Sequence, residues 1–157
     1  MRLGQTGSAM RLRLFALIAA LIALAAPARA ENTVPSAQLQ EILIKTSLLT
    51  LNDANITGNY AVLHAKLAKP FRDQFTPERL KAVFKSFADQ KLDFGLIAAK
   101  PPVAAGEATI DSRGALHLHG YFDTRPSRLT YDLDFLPSEG EWKPIKLNID
   151  LKPVQGN

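Results

Sequence analysis

From Ala115 to Leu151 apolar residues recur at every second position, which constrains the fold more than any other feature of the chain. Leu116, Leu118, Gly120 and Phe122 alternate with His117, His119 and Tyr121. Leu129, Tyr131, Leu133 and Phe135 repeat the pattern, as do Ile145, Leu147, Ile149 and Leu151. Side chains of a strand point to opposite faces in turn, so this alternation predicts an antiparallel sheet with one covered face and one wet face. Turns fall at Arg125-Pro126 and at Pro137-Ser138-Glu139-Gly140. Two further short strands are expected, Lys91–Leu96 and Glu107–Asp111, the second turned by Ser112-Arg113-Gly114.

Before Lys91 the period is helical. Ser36 can cap a first helix, with Leu39, Ile42, Leu43, Thr46 and Leu49 as its apolar stripe and Gly58 as its end. Asn59 can cap a second, with Tyr60, Leu63 and Leu67 inward and Pro70 as its stop. Thr76-Pro77-Glu78 opens a third, whose stripe is Leu80, Val83, Phe84 and Phe87. Helices followed by a meander of hairpins make an α+β domain: three N-terminal helices on an antiparallel sheet of four to five strands.

The first thirty residues form a different kind of segment. Arg2, Arg11 and Arg13 precede the unbroken apolar run Leu14–Ala26, then Pro27 and the small-residue motif Ala28-Arg29-Ala30 before Glu31. This is the order of a Sec-type signal peptide, cut after Ala30, with Met1 or Met10 as its start. The thirteen apolar residues fall short of the roughly 20 that a membrane helix needs. Residues 31–157 are therefore expected to be one periplasmic or secreted domain, without a membrane span after cleavage. The leader holds four of the nineteen basic residues and no acid, so the remainder carries fifteen of each sign. A balanced domain lacks the basic footprint that nucleic acid requires. The chain has no cysteine, which excludes thiol catalysis, thiolate metal sites and a lipidated N-terminal cysteine.

The segment from Leu49-Thr50-Leu51-Asn52-Asp53-Ala54 through Gly58-Asn59-Tyr60, then Phe75-Thr76-Pro77-Glu78-Arg79-Leu80, resembles the helical layer of nuclear transport factor 2-like (cystatin-like) domains. The ending Gly140-Glu141-Trp142-Lys143-Pro144-Ile145 is similar to the turn into their last strand. The resemblance implies a curved sheet wrapped around helices as a cone with an inner pocket. Such domains include isomerases, small hydrolases, dimerisation modules and exported proteins, so the fold leaves the function open.

Two groups of residues could carry chemistry. If the hairpin turns at Arg125-Pro126, His119 lies opposite Asp132 and His117 opposite Asp134. Two imidazoles and two carboxylates could bind Zn²⁺ or a similar ion. On a wet, convex face the same four residues read more simply as cross-strand charge pairs. The second group lines the expected pocket: Tyr60, His64, Phe84, Phe87, Phe94, Phe122 and Tyr131, with Phe71 and Phe75. These aromatics suit a small apolar ligand or simply fill the core. No Asp or Glu falls on an inward strand position, which argues against acid–base catalysis. No catalytic residue and no cofactor is implied.

Smaller signals point nowhere specific. Ser112 and Ser138 lack a G-x-S-x-G setting, Arg72, Asp73 and Arg79 read as a solvated helix edge, and Asn55-Ile56-Thr57 is a formal glycosylation sequon. The expected role is a non-catalytic exported binding or interaction domain with an apolar inner pocket. The alternatives are a small enzyme using Tyr131 and His64, and a homodimer or other protein complex formed through the outer face of the sheet.

Overall fold

The computed structural model describes residues 33–154. The cleavage residues Ala28, Ala30 and Glu31, with the rest of the leader, lie outside the described residues. Helix α1 (Ala37–Thr57) starts at Ser36, whose hydroxyl accepts the Leu39 amide at 3.3 Å. It ends at Gly58, whose φ of 69° is the left-handed cap that glycine adopts without steric cost. The buried stripe of α1 is Ile44, Leu48, Leu51 and Asn55, joined by Ser47, Thr50, Asn52 and Ala54. The expected stripe lies on the other side: Leu39 and Ile42 are exposed, while Leu43 and Leu49 are half-buried. Helix α1 carries apolar residues around most of its circumference, and the polar members of the inward stripe disguised it.

Helices α2 (Ala61–Lys66) and α3 (Lys69–Arg72) follow. The Asn59 side chain accepts the Ala61 amide at 3.0 Å, and Tyr60, Leu63 and Leu67 are buried as the spacing predicts. Pro70 does not stop α2. The chain extends at Leu67, where the next amide, Ala68, donates to the Pro144 carbonyl at 3.1 Å, and Pro70 sits in the first turn of α3. The expected third helix is two pieces, α4 (Pro77–Val83) and α5 (Lys85–Asp89), broken at Phe84. Thr76 caps α4 through the Arg79 amide at 3.2 Å. The break turns Val83 outward while Leu80 and Phe84 stay buried. Among the described residues only α1 and α4 reach seven residues, so the helical layer is more fragmented than three helices.

The Lys91–Leu96 segment is not a strand. Asn52 of α1 accepts the Phe94 amide at 2.8 Å and donates to Asp93 at 3.0 Å, while Asp93 accepts the Gly95 amide at 2.9 Å. The donors that a strand would offer a neighbour are thus used by two side chains. A 3-10 turn, Gly95–Ala99, follows and buries Ile97 in place of Leu96.

The sheet contains β1 (Val103–Ala104), β2 (Thr109–Ile110), β3 (Leu116–Phe122), β4 (Ser127–Ser138) and β5 (Glu141–Pro153), all antiparallel. Both β1 and β2 pair with β3, so that edge is one strand in two pieces, and the path continues through β4 to β5. The inward positions of β3 and β4 are those the alternation predicts: Leu116, Leu118, Gly120, Phe122, Leu129, Tyr131, Leu133 and Phe135 are all buried. Gly120 is required by crowding, since a Cβ there would lie 2.2 Å from the Val103 carbonyl oxygen. The β4–β5 hairpin closes through Glu139 and Gly140, both at positive φ (56° and 84°), the conformation of a tight two-residue turn. The five-stranded sheet is neither closed nor strongly curled. The architecture is α+β, with helices first and an antiparallel sheet after them.

Candidate functional site

The β3–β4 register pairs His117 with Asp134 and His119 with Asp132, as the hairpin geometry predicts. The two pairs then differ. His117 Nδ1 lies 2.6 Å from Asp134 Oδ1. Its Nε2 lies 3.4 Å from Oδ2 of Asp111, a carboxylate at the end of β2. Asp111 is fixed by the turn itself: Oδ1 accepts the amides of Arg113 and Ala115, each at 2.9 Å, and Oδ2 accepts the Arg113 guanidinium at 2.8 Å. The Ala115 amide, then the Arg113 side chain, hold the Asp111 carboxyl well below the usual carboxylate range. His117 is raised, first by its bond to Asp134 and against the opposing effect of burial. The result is an imidazole held between two carboxylates on the wet side of the sheet.

His119 makes no such contact. Asp132 bonds Lys146 of β5 at 2.5 Å, and that bond raises the lysine. The His119 ring instead lies over Gly106, in the loop between β1 and β2, where a Cβ would come within 2.9 Å of Nε2. The residues therefore form an Asp111–His117–Asp134 cluster and an Asp132–Lys146 pair, linked by Lys146 at 4.0 Å from Asp134, with His119 turned away. Among the described residues no group of three or more His, Cys, Asp or Glu is placed to hold a metal ion. The alternation does not reveal Asp111 or Lys146 as partners. Asp111-Ser112-Arg113-Gly114 does carry the signature of a turn whose Asp side chain binds backbone amides two residues on.

The aromatic group is largely interior. Tyr60, Phe84, Phe94, Phe122 and Tyr131 are buried in one cluster, with Phe71, Phe75 and Phe87 packed half-buried at its margin. Tyr60 stacks on Phe84 at 6.4 Å between centroids, and Phe122 meets Tyr131 at 5.8 Å. The Tyr60 hydroxyl donates to Asn55 Oδ1. The Tyr131 ring occupies the space Gly120 leaves, since a Cβ on Gly120 would lie 2.6 Å from the phenol oxygen. Burial pushes the Tyr131 phenol up to about 12. Half-buried His64 has its Nε2 3.0 Å from the Arg72 carbonyl oxygen.

The remaining candidates are engaged elsewhere. Arg72 forks onto both oxygens of Glu139, at 3.0 and 3.1 Å, and this bond leads the causes that draw Glu139 down to about 2. Arg79 lies 4.8 Å above the Phe75 ring, and Asp73 pairs with Lys69 at 2.7 Å. Ser138 accepts the Lys69 amide at 3.0 Å. Asn55 of the sequon is 6% exposed, so its amide is not available to a glycan in the folded chain. No family model, no curated protein and no solved structure matches the chain.

Proposed function

We propose that this chain is an exported, non-catalytic binding or interaction domain, released to the periplasm or beyond after cleavage at Ala30. One observation carries the reading: the inward sheet positions hold no carboxylate, and the two inner polar candidates, Tyr131 and His64, lie against Gly120 and a backbone carbonyl. Acid–base catalysis needs a donor or acceptor that titrates near working pH and reaches a substrate. Tyr131 stays protonated at neutral pH, packed against Gly120. His64 faces a backbone carbonyl, and the inward positions of β3 and β4 hold no carboxylate. The element order and the Gly140-Glu141-Trp142 turn support a nuclear transport factor 2-like plan; the open sheet departs from the cone of that plan.

Native mass spectrometry of the protein purified from its own host tests the reading. The expected species begins at Glu31 and carries a protein partner or a second copy, not a small molecule. A retained small molecule that is lost in Tyr131→Phe overturns the interaction reading in favour of a pocket. A chain that keeps residues 1–30 overturns export.

A further inference from the structure

One side chain ties the turn between β2 and β3 to the middle of the sheet. The strand β2 is two residues long and pairs with β3, Thr109 with His117 and Ile110 with Leu116. The strand β4 lies between β3 and β5. His117 bridges the two regions. Its Nδ1 faces Asp134 of β4 at 2.6 Å, and its Nε2 faces Asp111, just beyond β2, at 3.4 Å. A neutral imidazole carries a single N–H, so it donates to one of these carboxylates and turns a lone pair toward the other. Only the imidazolium offers an N–H to both. The Asp134 contact is the shorter, and its carboxylate is 13% exposed against 24% for Asp111, so the single proton of the neutral ring stays with Asp134. The contact given up is the one to the turn.

We propose that His117 is a proton-operated latch, which fastens the β2–β3 turn to β4 while its ring holds two N–H protons and lets that edge open when it holds one. The charged groups around the ring set the direction. Asp134 faces it from β4 and Asp111 from the end of β2, with Arg113 of the turn bonded to Asp111 at 2.8 Å. From β5, Lys146 lies 4.0 Å from Asp134 but 2.5 Å from Asp132, its nearer partner. On β3 itself, the His119 ring is turned to Gly106. With the His117 ring neutral, Asp111 keeps the Arg113 guanidinium and the amides of Arg113 and Ala115, so the turn holds its own shape. It parts from the sheet as a unit, restrained only by the two pairs of β2 and the half-buried Ile110. His117 is raised above 6.5, first by its bond to Asp134. The latch is therefore closed below that ordinary value and opens as pH rises through the folded one. Opening bares the edge of β3 at His117.

The latch holds whether the domain binds a partner or a small molecule. Amide hydrogen exchange of the protein as recovered from its host, followed by NMR as protection factors, tests it. A protection factor removes the intrinsic pH dependence of exchange. The Asp111 amide bonds the Ala115 carbonyl, so by alternation Thr109 and His117 form the next hydrogen-bonded pair. Protection at Thr109 and His117 should fall roughly threefold or more from about one pH unit below the ring's titration midpoint to about one above it, while amides between β4 and β5 do not change. His117→Gln, which carries no titrating proton, should show low protection independent of pH. Asp111→Asn is the sharper variant. Its side-chain oxygen still accepts the two turn amides, and its NH₂ donates to the lone pair of the neutral ring but opposes the N–H of the charged one. The pH dependence should therefore reverse, with protection rising as pH rises. Protection that stays flat through the wild-type titration overturns the latch. So does a fall that persists in His117→Gln, or a fall of the same sign in Asp111→Asn. The wild-type measurement decides by itself where a variant does not fold.

Discussion

The helical layer and the sheet are held together by different means. The covered face of β3 and β4 is a continuous apolar surface, and its register follows from alternation along neighbouring strands. The helical layer is assembled from short pieces joined by polar side chains. Asn52 clasps Asp93 and Phe94, Lys66 reaches Thr50 at 3.0 Å, Arg72 grips Glu139, and the Ala68 amide binds the Pro144 carbonyl. A sheet with one buried face gains stability from area, whereas these joints depend on a few hydrogen bonds, of which the Phe94 amide to Asn52 is buried and the Arg72 pair to Glu139 exposed. Such bonds contribute little when made and cost much when one partner is removed.

The sharpest test of that contrast is a cavity in the sheet. Phe135 is fully buried between the layers. Phe135→Ala should lower stability by about 3–5 kcal/mol in chemical denaturation. A loss below about 1 kcal/mol would mean that the sheet face is not where stability is concentrated. The next test removes a clasp. Asn52→Ala strands the Phe94 amide and frees Asp93, a loss of about 1–3 kcal/mol. Hydrogen exchange should speed up at residues 93–99 and hardly change in β3 and β4. Equal acceleration in both layers would contradict the division.

The smallest effect belongs to the wet face. His117 is raised above its ordinary value of 6.5 by Asp134 and Asp111. A raised histidine stabilises fully below its unfolded value, and the gain fades as pH rises through the folded value. Asp111 has the opposite sign, being depressed: its contribution is present above the ordinary carboxylate value and is lost as pH falls through its own. Titration by NMR should show His117 above 6.5 in the wild type and lower in Asp134→Asn. An unchanged His117 in that variant would place the cause outside the cluster.

The same contrast decides what could be read from the sequence. Period two in β3 and β4 names the inward residues and, with the turn at Pro126, the pairs His117–Asp134 and His119–Asp132. Register says which Cα atoms face each other, not which rotamers meet, so the partners of Asp132 and His119 came from β5 and from Gly106. The helical layer was less legible because its determinants are distant. The contact that turns Leu92–Leu96 away from a strand joins residues 41 apart. The α1 stripe is ambiguous in the sequence because two apolar stripes share one helix and the inner one contains Ser47, Asn52 and Asn55. The helix break at Phe84 leaves no local mark, since Leu80, Val83, Phe84 and Phe87 keep ideal helical spacing across it.

The β5 edge has one more consequence. An open edge of thirteen residues is a template on which further chains can add strand by strand, the route to insoluble polymer. Here that route is obstructed along its length. Pro144 and Pro153 withhold amide donors, the Pro144 carbonyl is taken by Ala68, and the register slips between Asp134 and Phe135. Lys146 and Lys152 add charged side chains along the edge, each ion-paired with a carboxylate, Asp132 and Asp150 respectively. The opposite edge is short and interrupted, so neither side of the sheet invites runaway growth.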